Sequence, residues 1–137
     1  MGCTSSAHRD VDAPKLAEDD FDSVYELDDE VLGEGAMGKV MLCVHRSTGH
    51  DFAAKLCSQN KGSLREVAIM QRLAHPNVLC LQGAYRTTPA PDGSGRLMLV
   101  LELANGGDLL NEVDRHGGKM SEGDAAYFMK QLLQARV

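Results

Sequence analysis

The chain contains no tryptophan, and only 4% of its 137 residues are aromatic. Domains that bind nucleic acids combine basic patches with aromatic side chains that stack on bases. This sequence is acidic and poor in aromatics, so we expect no nucleic-acid partner. The uninterrupted apolar run from Leu97 to Leu101 is far too short to cross a bilayer. A hydrophobic content of 43% is typical of a soluble domain with one modest core.

The cysteines and histidines show no spacing that indicates a disulfide or a metal site. The four cysteines include no C-x-x-C pair, and no secretory hydrophobic segment precedes them. This pattern favours a reducing, cytoplasmic setting. Cys43 and Cys80 fall in apolar, strand-like runs, where small core residues are typical. We predict no metal site built from this chain's side chains.

Acidic charge is concentrated at the beginning of the chain. Residues 1–30 contain ten acidic and two basic residues, a net charge of minus eight, whereas the whole chain carries minus six. Such a segment is typical of solvated, flexible polypeptide. We therefore predict a flexible acidic arm over residues 1–24 and a folded domain over residues 25–137.

The first six residues fit the acceptor pattern for myristoylation. Gly2 follows Met1, and Ser6 fills the preferred hydroxyl position. One myristoyl chain gives only marginal membrane affinity, and an acidic arm is repelled by anionic lipid. Stable anchoring would therefore need a second acyl chain, and Cys3 is the residue placed to take palmitate. The alternative is an unmodified terminus on a cytoplasmic protein.

Three glycines, Gly33, Gly35 and Gly38, have the spacing G-x-G-x-x-G. A backbone without β-carbons can approach phosphates closely, although the same spacing also marks ordinary hairpin turns. The apolar run from Val40 to Val44 follows, and it ends at the turn signal Ser47-Thr48-Gly49. This run favours a strand rather than a helix, so the glycines are expected to join two strands.

A second strand is predicted over Asp51 to Leu56, pairing back on the first. Its alternation places Lys55 on the same face as Ala53. A single lysine in a strand is commonly a solvated charge. An ammonium group beneath a glycine loop is also suited to contact a phosphate.

A helix is predicted from Ser63 to about Leu73, with Glu66 on its apolar stripe. A carboxylate on an apolar face normally needs a positive partner, and Lys55 is the nearest candidate in sequence. The alternative is a capping box, in which Ser63 caps the helix and Glu66 closes its first turn.

Taken in order, these elements resemble the ATP-binding lobe of a eukaryotic protein kinase. The resemblance rests on the glycine motif, the FAAK segment ending in Lys55, Glu66, His75-Pro76-Asn77 and the run from Leu97 to Leu109. The segment around Ser47 to Ala53 and a final helix over Glu122 to Arg136, capped by Ser121, are most similar to the calcium/calmodulin-dependent group of serine/threonine kinases.

The resemblance implies an α+β, protein kinase-like fold. Its smaller lobe would be a five-stranded antiparallel sheet with one helix over residues 25–101. A hinge and the first helices of an incomplete larger lobe would follow over residues 102–137.

The resemblance also implies ATP and magnesium as cofactors. Leu32 and Val40 would sandwich the adenine, and Lys55 would hold the α and β phosphates while paired with Glu66. Main-chain atoms of Glu102 and Ala104 would bind the adenine edge, with Leu101 as gatekeeper and Asp108 reaching the ribose. The implied ATP-binding set is Leu32, Gly33, Glu34, Gly35, Ala36, Met37, Gly38, Lys39, Val40, Ala53, Lys55, Glu102, Ala104 and Asp108.

Three features depart from the family pattern. Only eleven positions separate Lys55 from Glu66, so the connection must be tight and the helix is expected to begin late. The segment from Thr87 to Gly95 is a Pro- and Gly-rich insertion, expected to be a mobile surface loop. Neither a complete H-R-D-x-x-x-x-N stretch nor D-F-G occurs, and His8-Arg9-Asp10 lies in the acidic arm before the glycines.

Phosphoryl transfer depends on those missing groups, so no catalytic residue is predicted and this chain alone is expected to bind nucleotide without turnover. The leading interpretation is the ATP-binding portion of a serine/threonine kinase that phosphorylates protein hydroxyls. The alternative is a noncatalytic, membrane-tethered module that binds nucleotide or docks a partner through its final helix. The apolar side of that helix comprises Ala125, Phe128, Met129, Leu132 and Leu133.

Overall fold

The computed structural model describes residues 13–35, 38–104 and 109–135. The elements, in chain order, are α1 (Phe21–Val24), β1 (Tyr25–Gly35), β2 (Gly38–His45), β3 (Asp51–Ser58), α2 (Lys61–Arg72), β4 (Leu81–Thr87), β5 (Arg96–Leu101), α3 (Leu109–Arg115) and α4 (Glu122–Gln134). The predicted α+β architecture with a five-stranded antiparallel sheet is confirmed. The one-turn helix α1 was not predicted.

The strands lie in the order β1-β2-β3-β5-β4, which makes β3 the central strand and leaves β1 and β4 at the edges. The turn signal predicted between β2 and β3 is present. Gly49 adopts a φ of 75°, which favours glycine, and its N–H donates to the carbonyl oxygen of His45 at 2.8 Å. The hairpin thereby sets the register that pairs Lys55 with Val40.

The sheet buries side chains on both faces, because successive residues of β5 point in opposite directions. One cluster contains Phe21, Tyr25, Cys43, Ala54, Met98 and Val100. The other contains Val67, Ala84, Leu97 and Leu99, with Leu16, Cys57, Leu64 and Leu81 packed against it. Since Val67 and Leu64 belong to α2, the second cluster is the one that holds this helix on the sheet.

Helix α2 begins at Lys61, two residues earlier than expected, so the predicted late start is wrong. Only Gln59 and Asn60 connect it to β3. Asn60 is the N-cap: its side-chain oxygen accepts from the Ser63 N–H at 2.9 Å, and the Ser63 hydroxyl accepts from the Asn60 N–H at 3.0 Å. The capping box proposed for Ser63 and Glu66 is therefore also wrong, and the Glu66 carboxylate takes no part in capping.

The acidic arm is not a free linker over its described part, residues 13–24, which corrects the prediction of flexibility. Phe21 is completely buried, and its ring stacks on Tyr25 with 5.4 Å between ring centroids. The acidic neighbours Asp20 and Asp22 remain exposed. Burial of one large aromatic ring thus fixes the segment while its charges stay in water. The predicted acylation sites, Gly2 and Cys3, lie outside the described residues.

The insertion before β5 is a surface loop, as expected, and it contains internal hydrogen bonds. The Asp92 carboxylate accepts hydrogen bonds from the Ser94 N–H at 2.9 Å and from the Ser94 hydroxyl at 2.6 Å. These bonds lower the pKa of Asp92, because they stabilise its ionised form. Arg96 donates to the carbonyl oxygen of Thr88 at 3.0 Å and closes the loop.

The chain divides into two compact units, and the division differs slightly from the predicted boundary after residue 101. Residues up to Leu73 and Cys80–Leu103 form the first unit, whereas Ala74–Leu79 and the chain from Ala104 form the second. Within the second unit, the Asn77 amide donates to the carbonyl oxygen of Gln131 in α4 at 2.8 Å.

Ser121 caps α4 as predicted, accepting from the Asp124 N–H at 3.1 Å. Of the apolar residues predicted along this helix, Met129, Leu132 and Leu133 are exposed. None of the helices in the described part of the chain has the length and apolar content needed to cross a membrane.

The buried position of Phe21 yields a test of the corrected arm. We expect Phe21→Ala to lower the free energy of unfolding by about 3 to 5 kcal/mol, because it empties a fully buried aromatic site. Urea denaturation measures the change. The neighbouring, exposed Asp22→Ala is the control, and equal stability losses for the two variants would contradict the packing described.

Candidate functional site

The three glycines lie on the hairpin that joins β1 and β2. The pairs Gly33 with Val40, Glu34 with Lys39, and Gly35 with Gly38 close it. A strand follows the third glycine, as expected, which distinguishes the motif from dinucleotide-binding loops that lead into a helix. The tip residues Ala36 and Met37 lie outside the described residues.

Gly38 is the position at which the hairpin needs a glycine. Its φ is 136°, and a β-carbon placed there would lie 2.5 Å from the carbonyl oxygen of Leu56. The same β-carbon would lie 4.0 Å from the Cε atom of Lys55. At Gly38 the hairpin therefore lies very close to β3, next to the side chain of Lys55. Within the described part of the chain, no heavy atom lies within 4 Å of a β-carbon built on Gly33 or Gly35.

Lys55 and Glu66, predicted as an ion pair, are brought together by the structure. The Lys55 Nζ atom lies 3.1 Å from the Glu66 Oε1 atom, within hydrogen-bonding distance. The Lys55 side chain is 18% exposed and that of Glu66 is 36% exposed, so the pair is only partly open to water. Each charge thus has a partner in a site where it would be poorly solvated alone.

Cys57 lies two residues after Lys55 on the same strand. Burial raises the pKa of the Cys57 thiol, and the Glu66 carboxylate adds to this effect, while the Lys55 ammonium opposes it. The thiol therefore stays protonated near neutral pH and behaves as a small apolar side chain next to the ion pair.

The strand register places three predicted site residues, Val40, Ala53 and Leu101, on the face that carries Lys55. Lys55 pairs with Val40 on one side, and Ala53 pairs with Leu101 on the other. Residues directly opposite one another in a sheet share a face, and so do residues two apart on one strand. Leu32 lies in an irregularity of β1, between two strand pairs, and is 42% exposed.

The main-chain hydrogen bond of Glu102, just after β5, limits which of its atoms is free to contact adenine. Its N–H donates to the carbonyl oxygen of Cys80 at 3.0 Å, so a contact from Glu102 to adenine would use its own carbonyl oxygen. Ala104 is exposed and belongs to the second unit, and Asp108 lies outside the described residues.

An open depression of about 350 Å³ adjoins the hairpin without including Lys55, Val40 or Ala53. Its lining residues are Glu34, Gly35, Gly38, Lys39, Leu56, Cys57, Ser58 and Arg96. The space next to the glycines is thus accessible, and neither Lys55 nor Glu66 lines it.

Two features fit the phosphates of a nucleotide, and none in the described residues provides a metal site. The open space at Gly33 and Gly35 permits close backbone approach, and the Lys55 ammonium supplies a positive charge. Over residues 13–35, 38–104 and 109–135, no group of three or more His, Cys, Asp or Glu side chains is placed to hold a metal ion.

Two contacts at the ends of α2 were not predicted from the sequence. Asn60 caps α2, and a cap-type residue directly before the helix was the available signal. Gln71 holds the backbone of Lys15 from the other end of α2, and this contact spans 56 positions, so no local pattern indicates it.

Comparisons with known proteins agree with this architecture. The family model described as a protein kinase domain matches residues 26–136. Calcium-dependent protein kinase 5 of Plasmodium berghei is 34% identical over 122 residues, covering 85% of this chain and 20% of its own length. Calcium/calmodulin-dependent protein kinase type 1B of Rattus norvegicus is 33% identical over 129 residues, covering 88% of this chain and 35% of its own.

A crystal structure of Rad53 in complex with AMP-PNP superposes with a TM-score of 0.69 at 34% identity, covering 81% of this chain and 29% of that one. The chain belongs to the protein kinase domain family. Its relatives are serine/threonine kinases, including members of the calcium-dependent and calmodulin-dependent groups. The chain spans about a fifth to a third of the length of these relatives.

The close approach at Gly38 generates a prediction about the hairpin. We expect Gly38→Ala to destabilise the chain by about 1 to 3 kcal/mol, because alanine is strained at this φ and its methyl group would meet the Leu56 carbonyl. Chemical denaturation measures the loss. Gly35→Ala is the matched control, since a β-carbon there has open space, and equal losses would show that Gly38 is not sterically special.

Proposed function

We propose that this chain is the ATP-binding portion of a serine/threonine protein kinase, with magnesium accompanying the triphosphate. Lys55 would contact the α and β phosphates, the glycine hairpin would cover them, and Leu32 and Val40 would sandwich the adenine. Ala53 would also line the nucleotide site. Leu101 would act as gatekeeper.

The ion pair at 3.1 Å is the observation that carries this proposal. It holds the Lys55 side chain, whose Cε atom lies near Gly38, against the hairpin whose Gly33 and Gly35 have open space for phosphate oxygens. A flap of glycine backbone and a fixed cation together suit a polyphosphate better than either would alone. The AMP-PNP complex of Rad53 supports the same ligand class.

Nucleotide binding is proposed for this chain, whereas transfer of the γ-phosphate to protein hydroxyls is proposed for a whole kinase domain. The 137 residues contain no complete H-R-D-x-x-x-x-N or D-F-G sequence to orient the substrate hydroxyl and the metal ions. We therefore propose that this chain alone does not turn over ATP.

A second candidate function is a noncatalytic module that docks a protein partner. It is favoured by the exposure of Leu132 and Leu133 on α4, at 68% and 56%. This candidate does not require Lys55 to meet a phosphate, so nucleotide binding separates the two.

A melting experiment tests the assigned phosphate contact. At a nucleotide concentration one hundred times the Kd, binding should raise the Tm by roughly 8 to 15 °C. We expect Lys55→Met to remove most of this shift, because the methionine side chain has a similar length but no charge. Thermal denaturation with and without Mg-ATP measures it.

Lys61→Met is the matched control, because Lys61 is exposed at the start of α2. An equal shift in Lys55→Met and the unaltered chain would refute the phosphate contact. No shift in the unaltered chain would favour the docking module instead.

We further propose that Gly2 carries myristate and Cys3 palmitate, so that the protein sits at a membrane surface. Growth of expressing cells with an alkyne-tagged myristate tests this. We expect Gly2→Ala to abolish the label, because myristoylation requires a glycine at position 2. Cys3→Ser should keep the label but shift the protein from the membrane to the soluble fraction, because one acyl chain binds weakly. A label that persists in Gly2→Ala would refute the site.

A further inference from the structure

Residues 15–17, here called the strap, cross the free edge of the sheet at β4. The Ala17 N–H donates to the carbonyl oxygen of Ala84 at 2.8 Å. Leu16 packs against the cluster that contains Val67 of α2. The chain then reaches the opposite face, where Phe21 is buried. The strap therefore lies between α2 and the sheet edge. Leu16 packs on one face of the sheet, and Phe21, which follows the strap, is buried on the other.

Gln71 connects the strap to α2 through both ends of its side-chain amide. Its Nε2 atom donates to the carbonyl oxygen of Lys15 at 2.7 Å, and its Oε1 atom accepts from the Lys15 N–H at 2.9 Å. The side chain is exposed, so water could satisfy these groups without the strap. Two bonds to one backbone residue make the contact directional, because the amide must face the Lys15 main chain from a fixed distance and angle.

Gln71 and Glu66 lie on the same helix, five positions apart, which corresponds to roughly 7 to 8 Å along its axis. A helix moves nearly as a rigid body on a closely packed core. A small rotation or slide of α2 would therefore displace the Glu66 carboxylate as well. Since the Lys55–Glu66 distance is 3.1 Å, a shift of about 1 Å would take the pair out of hydrogen-bonding range.

The apolar contacts alone leave this freedom open. Of the apolar residues of α2, Val67 is buried and Leu64 is partly buried, whereas Ile69 is 42% exposed. Apolar packing is also not directional, so it does not fix the helix along the sheet. The capped start at Asn60 fixes the beginning of the helix. Gln71 supplies the corresponding fixed point near its end.

We propose that Gln71 is a positioning residue for the nucleotide site. By holding the strap against α2, it keeps Glu66 at the distance that fixes the Lys55 ammonium beneath the glycine hairpin. The effect on nucleotide affinity rests on the proposed function, whereas the effect on the ion pair does not.

The ion pair is tested first, without nucleotide, by NMR of the lysine ammonium groups in the ¹⁵N-labelled chain. Glu66→Gln identifies the Lys55 signal of the unpaired state. We expect Gln71→Met to move the Lys55 signal toward that position, and the exposed neighbour Arg72→Gln to leave it unchanged. A Lys55 signal that stays at its original position in Gln71→Met would overturn the proposal, whether or not nucleotide binds.

A double-mutant cycle then tests affinity, with AMP-PNP as the probe and calorimetry as the measurement. We expect Gln71→Met to raise the Kd roughly three- to tenfold, the range that one or two hydrogen bonds supply. In a Glu66→Gln background the same change should alter the Kd less than twofold, because the pair is already broken. An equal factor in both backgrounds would show that Gln71 acts only on general stability.

Gln71→Glu guards against a misfolded methionine variant, because it keeps an oxygen that accepts from Lys15, replaces the donor by a second oxygen and adds one negative charge. It should move the Lys55 signal in the same direction. A chain that binds no AMP-PNP while its Lys55 signal still responds to Gln71 would refute the proposed function and leave the positioning role supported.

Discussion

The pairing of Lys55 with Glu66 is the interaction on which the rest of the site depends. Each group is partly withdrawn from water, so each would be destabilised if the other were removed. The pair joins the central strand β3 to α2 across a connection of only two residues, so a displacement of either element strains both. The helix must therefore begin early, with its cap at Asn60, for Glu66 to reach the lysine.

The glycine hairpin is held to the same point from the other side. Gly38 approaches the Leu56 carbonyl more closely than any residue with a β-carbon could, and its neighbour across that contact is the Lys55 stem. The register then places Val40, Ala53 and Leu101 on the lysine's face of the sheet. Strand β3 thus carries the Lys55 ammonium group, contacts the glycine hairpin and aligns the apolar residues Val40, Ala53 and Leu101 on one face. These features occur together in the sequence because they share this strand.

Features encoded by neighbouring residues were predictable, and features encoded by distant contacts were not. The β2–β3 turn, the alternation of β3 and the Ser121 cap each depend on a few adjacent positions, and the structure contains all three. The packing of residues 13–24 could not be predicted from composition, because acidic residues dominate this segment whereas burial of the single Phe21 ring fixes it. Gln71 had no local signature, since its partner is 56 positions away.

The two edges of the sheet are protected in different ways, and this difference explains why the acidic segment is only partly solvated. An exposed edge strand invites pairing with other chains, and charged side chains discourage it. Edge strand β1 carries Asp28, Asp29 and Glu30, all exposed. Edge strand β4 lacks such a run and is instead crossed by the strap, whose Ala17 N–H bonds to its backbone. Because the strap also hydrogen-bonds to Gln71 of α2, the segment that protects this edge contacts the helix that carries Glu66.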